Sequence, residues 1–174
     1  AVLAESGYEV YAPQLPNSHK PDRVTYEKFL RESGWNFEDN VLVGHSSGAT
    51  TILNLLTSDW FPGAEAAVLV GTFLNEDLTN VAEWVEPGQF AGLFPNEGFD
   101  ISKLGSKCKS FYLVHGSDDP YCSYDDAKDF AMKLGGRFIT VAGGHHLGVR
   151  SGIHELPSLY EALEEDGFLS NEDH

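Results

Sequence analysis

The chain has 174 residues, of which 41% are hydrophobic and 12% aromatic. At about 150 residues per domain that is a single domain, 1–174, too apolar for a disordered chain and long enough to bury a core. Eleven Lys and Arg against 27 Asp and Glu leave a net charge of −16. That sign repels phosphate backbones and anionic membrane surfaces, so neither nucleic acid nor membrane is an expected partner.

Short β-branched runs alternate with longer amphipathic ones, the pattern of an α/β protein with a mainly parallel sheet and helices on both faces. Ala1 to Ser6 reads as the end of a helix stopped by Gly7. Tyr8–Ala12 reads as a strand ended by Pro13 and Pro16. Pro21 and Asp22 open a helix to about Ser33, with Tyr26, Phe29 and Leu30 on one face. Asn40–Val43 is an apolar strand, Ser47–Thr57 a helix with Ile52, Leu55 and Leu56 inward, and Ala66–Val70 another strand. Residues 71–107 form an irregular excursion; the periodicity fades from Thr72 to Ser106 while Phe73, Trp84, Phe90, Phe94 and Phe99 recur. Phe111–Val114 is a strand, and Ser123 begins a helix to Leu134 with Asp126 at the capping-box position. Arg137–Val141 is the last strand, Pro157–Asp166 the closing helix, and 167–174 an acidic tail expected to fray. Cys108 and Cys122 set no disulfide framework and read as free thiols of a reducing, cytoplasmic compartment. No apolar run reaches the ~20 residues of a membrane span.

Chemistry concentrates in Val41-Leu42-Val43-Gly44-His45-Ser46-Ser47-Gly48-Ala49, which contains Gly-x-Ser-x-Gly between a strand and a helix. Such a turn strains the serine, and Gly44 and Gly48 are expected to leave room for it. Ser46 then sits at the positive end of a helix, where a developing oxyanion is favoured. A serine needs a base, and the base needs an orienting acid. The strand ending at Val114 runs into His115-Gly116-Ser117-Asp118-Asp119-Pro120, and the strand ending at Val141 runs into Ala142-Gly143-Gly144-His145-His146. Nucleophile, acid and base candidates therefore follow in the order Ser, Asp, His, each at the C-terminal end of a strand.

These segments resemble the small serine hydrolases of the retinoblastoma-binding protein 9 type, a minimal branch of the α/β-hydrolase fold. The resemblance rests on YAPQLPNSHKP, GHSSGA, HGSDDPY and GGHH. It implies hydrolysis of esters or similar acyl compounds of small size, with no metal and no organic cofactor. By motif position it makes Ser46 the nucleophile, Asp119 the acid and His145 the base, with the Ser47 amide as an oxyanion donor. Asp118 is the rival acid and His146 the rival base; His146 otherwise packs over the site. His45, Trp84, Phe94 and His146 are candidates for the substrate pocket, and Cys122 is expected to be a small buried residue. His145, His146 and His154 fit no compact zinc spacing. The family's first strand and glycine-rich loop have no counterpart here, and the chain opens at the tail of the following helix. A gap near 10 Å, about two strand spacings, is therefore expected between Tyr8–Ala12 and Asn40–Val43. With it come poor folding of the chain alone and a missing oxyanion donor, as if a βα unit of roughly 30 residues lay upstream. The rival reading is a protein-interaction module on a hydrolase scaffold, with a protein partner and little turnover.

Overall fold

The computed structural model describes residues 2–77 and 85–170. Four parallel strands form one sheet in the order β1-β2-β3-β4: β1 Val41–His45, β2 Ala64–Val70, β3 Cys108–Gly116 and β4 Arg137–Val141. Helices α1 Val2–Glu5, α2 Arg23–Arg31, α3 Ser47–Thr57, α4 Ile101–Lys107, α5 Tyr124–Leu134 and α6 Pro157–Glu165 surround it. No helix among the described residues is long and apolar enough to cross a membrane.

Sequential parallel strands need crossovers of one hand, which places the crossover helices on one face. The side-chain alternation of the central strands shows this. Ala67 and Leu69 of β2 and Phe111 and Leu113 of β3 pack with Ile52, Leu53 and Leu56 of α3, Leu104 of α4 and Ala131 of α5. Ala66, Val68 and Val70 and, on β3, Tyr112 and Val114 pack with Leu159, Ala162 and Leu163 of α6. Both central strands are thus apolar on both faces, as a doubly covered parallel sheet requires.

Three expectations need correction. Tyr8–Ala12 is extended but joins no strand ladder. Aromatic packing holds it instead: Tyr11 stacks on Trp35 at 4.8 Å and meets Phe37 edge-on at 6.3 Å. Among the described residues nothing pairs with the free edge of β1, and a groove of about 960 Å³ separates it from residues 7–13. The excursion 71–107 is not irregular throughout. It holds a 3-10 turn at Ala91–Leu93 and ends in α4, whose first turn is capped by the Asp100 carboxylate accepting from the Lys103 amide at 3.0 Å. The excursion is tied to α3 by the Thr50 hydroxyl donating to the Phe73 carbonyl and the Asn54 amide donating to the Leu93 carbonyl, each at 2.8 Å. Finally, the chain beyond Asp166 does not fray at once: Leu169 is buried and Phe168 meets Tyr112 edge-on. Residues 171–174 lie outside the described part.

Candidate active site

Three strand ends converge. Ser46 follows β1 and is the N-cap of α3, with φ 59° and ψ −126°, a conformation that a non-glycine residue holds only under constraint. Its amide donates to the Val70 carbonyl at 2.8 Å, which locks the turn to the end of β2. A Cβ on Gly44 would stand 2.6 Å from the Gly48 backbone, so the turn closes only with glycine there. Gly48 itself meets nothing within 4 Å of a built Cβ; of the two glycines expected to give room, only Gly44 is needed for it. Ser47 is the first residue of α3, so its amide has no acceptor within the helix.

The histidine facing this serine is His146. Its Nε2 lies 2.9 Å from Ser46 Oγ, and its Nδ1 lies 2.8 Å from Asp119 Oδ2. The carboxylate accepts from Nδ1–H, which leaves the Nε2 lone pair to accept from the serine hydroxyl. Asp119 Oδ1 accepts the amides of Tyr121 and Cys122 at 2.9 and 3.0 Å. Burial alone would push this carboxyl up; the His146 and amide hydrogen bonds outweigh it and hold it below the ordinary carboxylate range. His146 is wedged among Phe73, Tyr121 and His45, with ring centroids at 5.5, 5.2 and 5.0 Å.

His145 was the expected partner of Ser46, and the structure turns it elsewhere. Its Nδ1 pairs with Asp118 Oδ2 at 2.7 Å, and its amide donates to Asp118 Oδ1 at 2.9 Å. The cause is the loop's course. The Ser117 hydroxyl accepts the Gly143 amide at 3.1 Å, and the His145 carbonyl rides so close over Gly116 that any side chain there would collide. His145 and Leu147 both take positive φ, 48° and 52°. The two adjacent histidines therefore point apart, and the doubly bonded Asp118 fixes which one faces the serine. Asp118 and Asp119 thus serve one histidine each.

His45 lies beside the relay. Its Nε2–H donates to the His146 carbonyl at 2.7 Å. Burial holds its pKa below the ordinary histidine value, outweighing the hydrogen bond to the His146 carbonyl, which pulls it up. Of the other pocket candidates, Phe94 ends the Ala91–Leu93 turn half-buried, and Trp84 lies outside the described residues. Among the described residues of the excursion, the ring packed on His146 is Phe73, backed by Phe90 at 5.8 Å. Two contributors were not anticipated. Gly71, at φ 52°, leaves space where a Cβ would press on the His146 ring at 3.2 Å and touch Asp119 at ordinary contact distance. Its signal was a glycine ending an apolar strand. Tyr121 closes the HGSDDPY segment, and that position was its one signal.

The architecture has counterparts among solved structures. The ydeN gene product of Bacillus subtilis superposes with a TM-score of 0.70 at 22% identity, covering 88% of this chain and 79% of that one. A YdeN-like hydrolase from Pectobacterium atrosepticum gives 0.62 at 15% identity, covering 90% and 76%. The carboxylesterase CesB of Bacillus subtilis gives 0.52 at 16%, covering 88% and 69%. No curated protein matches the sequence. At these identities the likeness is one of fold, that of the α/β-hydrolases. The family model for serine hydrolases spans residues 8–165, most of the chain and all three strand ends of the site, and the chain therefore belongs to the serine hydrolase family.

Proposed function

We propose that this protein hydrolyses a carboxylic ester or similar acyl bond of a small substrate through a Ser46–His146–Asp119 triad and an acyl-enzyme, in the manner of the retinoblastoma-binding protein 9 type. The observation that carries the proposal is the unbroken hydrogen-bond path from Ser46 Oγ through both nitrogens of His146 to a buried carboxylate. His146 Nε2 takes the hydroxyl proton as Oγ attacks the substrate carbonyl carbon. The Ser47 amide, at the positive end of α3, donates to the oxygen that becomes negative. Asp119 stays ionised, holds the ring in the Nδ1–H tautomer and stabilises its charged form. His146 then returns its proton to the leaving group. Water, activated by the same nitrogen, attacks the acyl-serine and restores the hydroxyl. His45, by gripping the His146 carbonyl, keeps the ring at the angle the transfer needs.

The test is labelling of the protein with a fluorophosphonate probe, followed by hydrolysis of small p-nitrophenyl esters. Ser46→Ala should abolish labelling. His146→Ala should lower the rate by roughly 10⁴-fold or more, because the members of a triad act as one unit. His145→Ala should retain labelling within about tenfold, the order expected for loss of one exposed ion pair behind the site. A larger loss from His145→Ala than from His146→Ala would sink the assignment of the base. Labelling that survives Ser46→Ala would sink the assignment of the nucleophile.

A further inference from the structure

Behind the Asp119 carboxylate lies a buried group that the proposed chemistry does not use. His115, on β3, is 1% exposed, and Cys122, past the Asp119 turn, is 4% exposed. One ligand atom from each of His115, Asp119 and Cys122 can be chosen so that all lie within 4.8 Å of one another. His115 Nδ1 is 3.0 Å from the Gly116 carbonyl, which can only accept, so Nδ1 carries the hydrogen. In the neutral ring, Nε2 is then a bare lone pair. It is buried, has no hydrogen-bond partner among the described residues, and stands 4.0 Å from Asp119 Oδ2. Cys122 Sγ adds a third electron-rich atom; its hydrogen points to the Gly71 carbonyl at 3.4 Å. Three lone-pair bearers converge, a buried carboxylate among them. His146 Nδ1–H reaches Asp119 Oδ2 at 2.8 Å and stands 4.0 Å from Cys122 Sγ, while among the described residues no donor meets His115 Nε2. That arrangement is built to receive a cation.

We infer that His115, Asp119 and Cys122 form a site for a thiophilic divalent cation of the zinc class, and that filling it switches the hydrolase off. The ligand chemistry matches: imidazole, thiolate and carboxylate are the set that favours zinc over magnesium or calcium. Donors around a tetrahedral zinc stand about 3.3–3.8 Å apart, so the three atoms close in by roughly 1 Å to bind. The thiol gives its proton to solvent, its sulfur pair makes the metal bond, and no oxidation state changes. Oxygen Oδ2 is the atom that His146 Nδ1–H now uses. A cation on it takes that acceptor away, and the ring loses its tautomer and its orientation toward Ser46. The binding stands on the geometry of the cluster alone; the inhibition rests on the triad reading of the preceding section.

Cadmium is the probe, because a cadmium–thiolate bond gives a charge-transfer band in the near ultraviolet that reports binding without any reaction. Titrating the metal-free full chain with cadmium chloride should raise that band at one equivalent. Cys122→Ala should lose the band and weaken binding by about 100-fold or more, beyond the ~10–100-fold cost of losing a mere supporting partner. Cys108→Ala should keep the band. Saturating cadmium or zinc should slow fluorophosphonate labelling by at least about tenfold, and magnesium should not. In Cys122→Ala the ratio of labelling rates with and without cadmium should return to one. Should Cys122→Ala fail to fold, His115→Gln, which removes the buried nitrogen ligand, serves in its place and should weaken cadmium binding in the same way. An absent band, or equal affinity in the variant, overturns the site. A band with undiminished labelling overturns the switch. A band in a protein whose Ser46 never labels, even free of metal, upholds the site and overturns the triad instead.

Discussion

On one flank of Ser46 stand β2, β3 and β4, paired edge to edge, with β2 and β3 covered on both faces and Val68 and Leu69 fully buried. On the other flank stands the free edge of β1 over a groove, with Val43 53% exposed in the same kind of apolar run. The acid and the base both come from the closed flank. The serine sits at the boundary, between the end of β1 and the start of α3. Proton-transfer groups need positions fixed to a fraction of an ångström, and the paired strands supply that. The open flank is lined beside the serine by Gly44, His45 and Gly48. A closed flank and an open one thus meet at one turn.

The largest test of this contrast is packing. Leu69→Ala on β2 should destabilise the fold by about 2–5 kcal/mol, whereas Val43→Ala on β1 should cost under about 1 kcal/mol, because its side chain already meets solvent. Equal losses in urea unfolding would erase the difference between the flanks. A second test compares the two glycines of the turn. Gly44→Ala drives a methyl against the Gly48 backbone and should cost about 1–3 kcal/mol or more. Gly48→Ala meets nothing and replaces a helical glycine, so it should stabilise by about 0.5–1 kcal/mol. Thermal melts that move both variants the same way would contradict the turn geometry.

The smallest effect is a pH dependence confined to the closed flank. The folded Asp119 carboxyl is held below its unfolded range, so its contribution is complete above about pH 4–5. It fades as pH falls through the folded value. The melting-temperature gap between the parent protein and Asp119→Asn should therefore narrow on acidification from neutral pH. A gap that widened as pH fell would show the carboxyl to be held up rather than down.

Much of this division could be read from the chain, because strand ends and the Gly-x-Ser-x-Gly turn are local. Ala66–Val70 and Phe111–Val114 are apolar runs without a polar alternate, and they are indeed the doubly buried strands. The choice between His145 and His146 was not local. It depends on a loop passing over Gly116 and on Asp118 catching the first histidine, a register set by β3 and β4 side by side. Tyr8–Ala12 was legible as extended chain, but a ladder is a property of two segments, and pairing cannot be read from one. Helix α4 escaped because Ile101–Lys107 is short and holds Gly105; the Asp100 cap was its one clear mark.

The bare edge of β1 also bears on how copies of this molecule behave toward one another. An unpaired row of amides and carbonyls along an apolar strand is a template on which a second copy can dock strand to strand. A charge of −16 keeps copies apart at neutral pH and low salt. Acidification into the carboxylate range removes that repulsion, and added salt screens it within about 10 Å at 0.1 M. The shelf life of the protein is then governed by colloidal forces at the sheet's outer strands, β1 above all, since β4 carries the exposed polar Arg137 and Thr140. Light scattering should rise on acidification, and Val43→Lys, which puts like charges on facing edges, should delay the onset.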